Sequence, residues 1–250
     1  MARQQRSTQA LEEEPHRAPV FSSDGERIDG RHAQMCRAAF LRTGAVRAAA
    51  GSAYAESGDT KVIVSVFGPR ESKKAEAFSD AGRLNCNVKY CSFATPVRGK
   101  MGAANAEERD LSSMLYKSVV GAVDLRTFPK TTVDVFALVL QSGGGDLPVI
   151  VTCASLALAD AGIVLYDLVA AVSASSIQGQ VLLDPSTSEE NCEDGSLMVA
   201  YMPSRKEITQ VTMTGEWSSS RASESLELCL DACAKIGDVM RSCLKEAAAQ

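Results

Sequence analysis

The stretch from Thr131 to Gly162 narrows the choice of fold most. Thr131 to Leu140 is rich in Val, Phe and Leu and reads as a strand. Gly143-Gly144-Gly145 breaks it. Residues 148–161 follow as an Ala/Leu-rich helix, and Gly162 stands where a helix commonly turns left-handed and stops. Upstream, Ala39 to Arg42, Gly51 to Glu56 and Thr60 to Phe67 read as a meander, with Gly68-Pro69 expected to end its last strand. Arg83 to Phe93 alternates apolar and polar residues, as a half-buried strand does. Residues 105–126 repeat Leu111, Met114, Leu115, Ser118, Val119 and Ala122 at helical spacing, with Asn105 as the expected N-cap. Downstream come strands over Val164 to Ser175 and Gln178 to Leu183, a polar loop from Pro185 to Gly195, and a hairpin around Pro203-Ser204-Arg205-Lys206. A long amphipathic helix from about Ser220 to about Glu246 closes the chain. Strands, helix, strand, helix, strands, long helix is the order of an α+β sandwich, not of a doubly wound parallel sheet.

Composition bounds the remaining classes. A chain of 250 residues has sequence enough for a substantial core. The net charge of -5 supplies no general attraction to nucleic acid, so any RNA contact must come from a local basic patch. None of the eight cysteines forms a CxxC pair, and there are two histidines, so zinc spacing is absent; neither a metal nor a cofactor is expected. Cys229 and Cys233 sit one helical turn apart and are expected to pack as buried thiols. Residues 1–20 lack the apolar core of a signal peptide, and no apolar run reaches the length of a membrane span. A soluble intracellular protein is expected, with residues 1–24 a mostly disordered tail and residues 25–250 one domain.

Several short phrases, in order, resemble a known family. Ile28-Asp29-Gly30-Arg31, Gly51-Ser52-Ala53-Tyr54-Ala55-Glu56, Thr60-Lys61-Val62 and Gly68-Pro69-Arg70-Glu71 resemble the opening of RNase PH and its relatives in the RNA exosome. Ala154 to Gly162 and Tyr166-Asp167-Leu168-Val169 resemble its second half, so the likeness covers residues 25–245. Leu165 to Val169 and Leu182-Leu183-Asp184-Pro185 look like the non-catalytic ring subunit of the mRNA-transport-regulator type. The resemblance implies an RNase PH-type fold with two βαβα-like halves and a long C-terminal helix. It also implies a six-membered ring of such chains with a central channel for single-stranded RNA. Other RNase PH-like ring subunits, cap proteins with RNA-binding domains and an associated hydrolytic exoribonuclease are the implied partners. The nucleus, nucleolus and cytoplasm are the implied locations.

Phosphorolysis needs a cradle for inorganic phosphate and carboxylates near the scissile linkage. Active members of the family place a Ser/Thr-Arg pair after the glycine turn. Here Asp146 and Leu147 stand at those positions, followed by Pro148. A carboxylate facing phosphate is repulsive, by about 1 kcal/mol at contact even in bulk water. Asp146 is expected instead to cap the helix. The family's Leu-Asp-x-Asp reads Leu183-Asp184-Pro185-Ser186, with Ser186 in place of the second acid and Glu189 and Glu190 following in a solvated loop. The paired arginines before the first long helix are reduced to Arg109. These departures predict a degenerate site and a structural, non-enzymatic subunit. The alternative is an active or composite-site phosphorolytic 3′–5′ exoribonuclease. Arg70, Lys73, Lys74, Arg98 and Lys100 are the expected RNA contacts, through phosphates rather than bases. Trp217 is a candidate for packing on a neighbouring subunit.

Overall fold

The computed structural model describes residues 27–71, 80–99 and 106–249. Asn105, Lys73, Lys74, Lys100 and the expected N-terminal tail lie outside them. The first half is built on β1 (Ala39–Thr43), β2 (Gly51–Ser57), β3 (Thr60–Glu71), β4 (Arg83–Tyr90) and β5 (Thr131–Gln141). Their order in the sheet is β1-β2-β3-β5-β4, with β4 parallel to β5 and the other pairs antiparallel. The alternation read from the sequence decides the faces. Val62, Val64 and Val66 of β3 and Val133, Val135, Ala137 and Val139 of β5 point into the core, while Phe136 and Leu138 face out.

The second sheet holds β6 (Ala170–Ile177), β7 (Gln180–Leu183), β8 (Gly195–Met202) and β9 (Glu207–Gly215), all antiparallel, in the order β7-β6-β8-β9. Three helices fill the space between the sheets. α1 (Ala106–Val120) touches β4 on one side and β9 on the other. α2 (Asp146–Asp160) touches β2 and β3 on one side and β6 on the other. A four-residue helix, α3 (Thr187–Glu190), precedes β8, and α4 (Ser219–Ala248) packs on β6 and β8 and reaches β1. The result is the expected α+β sandwich with its long C-terminal helix.

α2 is apolar all round because it is the shared filling of both sheets: Pro148 to Leu158 are all buried. Two of the phrases singled out in the sequence meet on it. A Cβ on Gly51 would lie 2.1 Å from the backbone nitrogen of Ala161, and the Ser52 amide donates to Asp160 Oδ2 at 2.8 Å. Glycine at position 51 lets β2 touch the end of α2 directly.

Several boundaries differ from the expectations. Gly68-Pro69 does not end β3: the ladder is interrupted after Phe67 and resumes with Arg70 opposite Thr132. α1 stops at Val120, because the chain must turn to form a bridge between Val123 and Leu165 and a 3-10 turn over Leu125–Thr127 capped by Asp124. Residues 164–169 carry that crossing, and β6 starts at Ala170. The N-cap of α2 is Gly145, at φ +59°, not Asp146. Trp217 turns back on its own chain, donating from Nε1 to the Thr214 carbonyl at 2.9 Å. All eight cysteines are free thiols, and Cys153, Cys229 and Cys233 are fully buried. Burial pushes the Cys229 thiol up to about 12. No helix among the described residues is long and apolar enough to cross a membrane.

Candidate active site at the glycine turn

The end of β5, the Gly143-Gly144-Gly145 turn and the start of α2 meet the end of β7 at Asp184. Arg37, in the strap that leads into β1, ties them together. Its Nε donates to Asp184 Oδ2 at 2.9 Å and its Nη2 to Asp184 Oδ1 at 2.5 Å. The same guanidinium donates to the carbonyls of Gly143 at 3.1 Å and Gly144 at 2.8 Å. Thr60 Oγ1 donates to the Gly144 carbonyl at 2.7 Å, which anchors the turn to the start of β3. Gly145 is needed twice. Its backbone is left-handed, and a Cβ there would sit 2.8 Å from Arg37 Nη2 and 3.2 Å from Asp184 Oδ1.

Arg37 is a cation at this turn that the sequence reading does not assign there, and its hydrogen bonds go to Asp184 and to the Gly143 and Gly144 carbonyls. The cation arrives from a different segment, far away in the chain. The strap shows no periodicity, and nothing near Arg37 in sequence links it to residues 143–145. The clustering of Arg27, Arg31 and Arg37 was the available signal.

Asp146 accepts at Oδ2 from the Tyr90 hydroxyl at 2.9 Å and from Ser142 Oγ at 2.7 Å, while its Oδ1 is buried without a partner. Burial first, and then Asp146, holds the Tyr90 phenol well above its ordinary value. Leu147 packs against the main core. Asp184 takes φ +49° to turn its carboxylate toward Arg37.

Residues 185–195 are not the solvated acidic loop expected. Ser186 is the N-cap of α3, and Glu189 folds back to accept from the Ser186 amide at 2.7 Å and hydroxyl at 3.0 Å. Glu189 is 3% exposed and paired with Arg27, itself 2% exposed, through Nε–Oε1 at 2.7 Å and Nη2–Oε2 at 2.6 Å. Burial raises the Glu189 carboxyl, but Arg27 and Ser186 outweigh it and hold the group below its usual value. Glu190 accepts from the Gly145 amide at 2.7 Å. Burial, with Asp146 and Glu193 adding like charge, pushes Glu190 up to about 7.

The expected RNA contacts are not gathered at this turn. Arg70 is exposed, but it is paired with Asp134 and its guanidinium lies 5.9 Å from the Phe67 ring centroid. Arg98 is exposed in the loop after β4, and Arg109 is exposed on α1. Among the described residues, no group of three or more His, Cys, Asp or Glu is arranged to hold a metal ion.

Residues 35–164 match the RNase PH model described as 3′ exoribonuclease family, domain 1, and residues 167–231 match domain 2 of the same family. An Arabidopsis thaliana protein named "Exosome complex component RRP41-like" is 58% identical, over 93% of this chain and 90% of its own length. "Exosome complex component Rrp41" of Pyrococcus horikoshii is 35% identical over 94% of each chain. The crystal structure of rice Rrp46 superposes with a TM-score of 0.79 at 26% identity, covering 88% of this chain and all of that one. An Archaeoglobus fulgidus exosome chain superposes with a TM-score of 0.76 at 23% identity, covering 86% and 92%, and shares the fold.

These findings overturn the expectation that the chain is no enzyme. Both domain models describe an exoribonuclease family, and the relatives matched over nine-tenths of the chain carry the name Rrp41, not that of the mRNA-transport-regulator subunit. In the first of the two phrases that suggested the latter, Asp167 has a structural role: its Oδ2 accepts from the amides of Ser204 at 2.6 Å and Arg205 at 3.3 Å, holding the β8–β9 turn.

Proposed function

The chain belongs to the 3′ exoribonuclease family of RNase PH type, and on that premise we propose that it is an Rrp41-like exosome ring subunit. Its proposed work is phosphorolytic 3′–5′ degradation of single-stranded RNA at a site it shares with a neighbouring ring chain. The observation that carries this reading is Arg37, whose guanidinium sits on the glycine turn beside the N-terminus of α2. The N-terminus of α2 favours a phosphate dianion, and Arg37, whose N–H groups are engaged by Asp184, Thr60 and the Gly143 and Gly144 carbonyls, holds the turn in place for it. In the reaction an oxygen of inorganic phosphate attacks the phosphorus of the last internucleotide linkage. The bond to the 3′-oxygen of the preceding nucleotide breaks, that oxygen takes up a proton, and a nucleoside 5′-diphosphate leaves.

The charge balance at the turn favours a composite site. Asp146, Asp184 and Glu190 surround it, and Arg37 is already engaged with Asp184. Two incoming phosphate groups need further positive charge, and a neighbouring chain is its proposed source. Arg98, exposed after β4, is proposed to guide the RNA backbone. Cap proteins with RNA-binding domains and a hydrolytic exoribonuclease are further proposed partners, in nucleus, nucleolus and cytoplasm.

The test incubates 3′-unpaired RNA and inorganic phosphate with the purified chain, alone and co-assembled with RNase PH-type partners. Phosphate-dependent nucleoside diphosphate release, stronger in the assembly, is the expected result. Stable assembly with no release under any condition would refute it.

A further inference from the structure

We propose that Phe93 is a stacking platform for a base of single-stranded RNA, with Arg98 taking the phosphate of the stacked nucleotide; this rests on the reading of the neighbouring glycine turn as a site of RNA degradation. Phe93 is 70% exposed, the most exposed aromatic side chain among the described residues. A phenyl ring left in water forgoes the burial that an aromatic side chain otherwise contributes to folding. The backbone beneath it is nevertheless fastened. The Cys91 amide donates to the Val139 carbonyl at 2.9 Å, carrying the pairing of β4 with β5 past Tyr90. The Ala94 amide donates to the Cys91 carbonyl at 2.9 Å, and Ala94 is buried. The Gly99 amide closes the loop on the Ser92 carbonyl at 3.0 Å, and the Thr95 hydroxyl donates to the Val97 carbonyl at 2.7 Å. Phe93 is thus displayed by a loop with its own hydrogen-bonded frame.

That frame is tied to the glycine turn by short links. The Ser142 amide donates to the Ala94 carbonyl at 2.9 Å, and Ser142 Oγ donates to Asp146 Oδ2 at 2.7 Å. Tyr90, at the end of β4, donates to the same carboxylate oxygen at 2.9 Å. Ala94, the next residue, lies about 3.8 Å from Phe93 between Cα atoms. The Ser92–Gly99 bond also brings the chain at Arg98 beside the chain at Phe93, and the Arg98 side chain is exposed.

Charge decides that a base is the better thing to hold here. Asp146, Asp184 and Glu190 surround the turn, and Arg37 is engaged by Asp184 and by the turn's carbonyls. At the start of α1, Glu107, Glu108 and Asp110 outnumber Arg109. Phosphates laid along such a wall meet carboxylates. A nucleobase is neutral and has a flat face, so stacking on a phenyl ring adds binding without adding charge. One guanidinium beside that ring matches the phosphate of the same nucleotide. Every base offers a π-face, so the contact holds RNA without reading its sequence.

The experiment uses the full-length chain co-assembled with RNase PH-type partners, as wild type, Phe93→Leu, Phe93→Trp and Arg98→Gln. Fluorescence anisotropy, without inorganic phosphate, measures affinity for a labelled uridine oligomer and for an abasic ribose-phosphate oligomer of equal length. Assembly is checked by sedimentation and folding by thermal melting. Leu keeps an apolar side chain and removes the flat ring, so it separates stacking from general hydrophobicity. Phe93→Leu is expected to weaken uridine-oligomer binding by about five-fold or more and to leave the abasic oligomer nearly unchanged. Phe93→Trp should bind RNA at least as tightly as wild type, with tryptophan fluorescence quenched by RNA beyond the wild-type change. Arg98→Gln should weaken both oligomers alike. Unchanged RNA affinity in Phe93→Leu, or equal loss for both oligomers, would overturn the proposal. A Phe93→Leu chain that melts normally but no longer assembles would also overturn it, placing the ring at a protein interface. Phe93-dependent RNA binding without nucleoside diphosphate release, once phosphate is added, would sink the phosphorolytic reading and leave the platform standing. Release with a KM for RNA that ignores Phe93 would do the reverse.

Discussion

Arg27 and Arg37 sit in the same strap and meet different carboxylates, and the difference in burial sets their roles. Arg27 and Glu189 are both sealed from water, so removing one leaves an uncompensated buried charge. Arg27→Ala is expected to cost about 3–5 kcal/mol in urea unfolding. Glu189 and Glu190, adjacent in sequence, titrate in opposite directions. The Glu189 carboxyl is depressed on folding, so its contribution is present above the ordinary value of 4.5 and is lost as pH falls through the folded value. The Glu190 carboxyl is raised from 4.5 to about 7, so the folded state binds more protons between those values. Stability should therefore fall as pH rises from about 4.5 to about 7 and then level off. The expected drop across that window is on the order of 3 kcal/mol, and Glu190→Gln should flatten it in urea titrations. None of this was visible in the sequence, where the two residues read as one polar loop; their roles depend on which buried groups α3 brings them against.

At the scale of elements, periodicity carried the reading well where one face is buried. The alternating valines of β3 and β5 and the stripe of α4 announced strands and helix because solvent takes the other face. Reading failed where contacts between distant segments decide. β3 continues past Gly68-Pro69 because Thr131 and Thr132 of β5 are there to pair with Arg70 and Glu71. Gly145, not Asp146, caps α2 because the turn must clear Arg37. The seam between β2 and α2 offers a test of this level. Gly51→Ala places a methyl against the backbone of Ala161, where no flexible side chain can yield. It is expected to lower the melting temperature sharply or prevent soluble expression. Leu156→Ala, in the fully buried middle of α2, is expected to cost about 2–5 kcal/mol by chemical denaturation.

For the whole molecule, two sheets around a shared layer of helices bring three distant segments to one point: the strap at Arg37, the glycine turn at 143–145 and the end of β7 at Asp184. The ordered phrases revealed the fold family because they are its joints. They do not reveal Arg37, which reaches the glycine turn from outside them. The outer face of the first sheet leaves Phe40, Phe136 and Leu138 between 39% and 55% exposed, the kind of apolar surface used for association. Phe136→Glu is expected to weaken incorporation into a ring, read by sedimentation, with the melting temperature of the isolated chain nearly unchanged. The central claim is that the Arg37 turn takes part in phosphorolysis. It is tested most directly by following labelled inorganic phosphate into nucleoside diphosphate in a ring carrying this chain as wild type, Arg37→Lys or Arg37→Gln, with assembly verified. The account predicts label incorporation in wild type, a fall of at least ten-fold in Arg37→Gln and an intermediate rate in Arg37→Lys; equal incorporation by all three rings would contradict it.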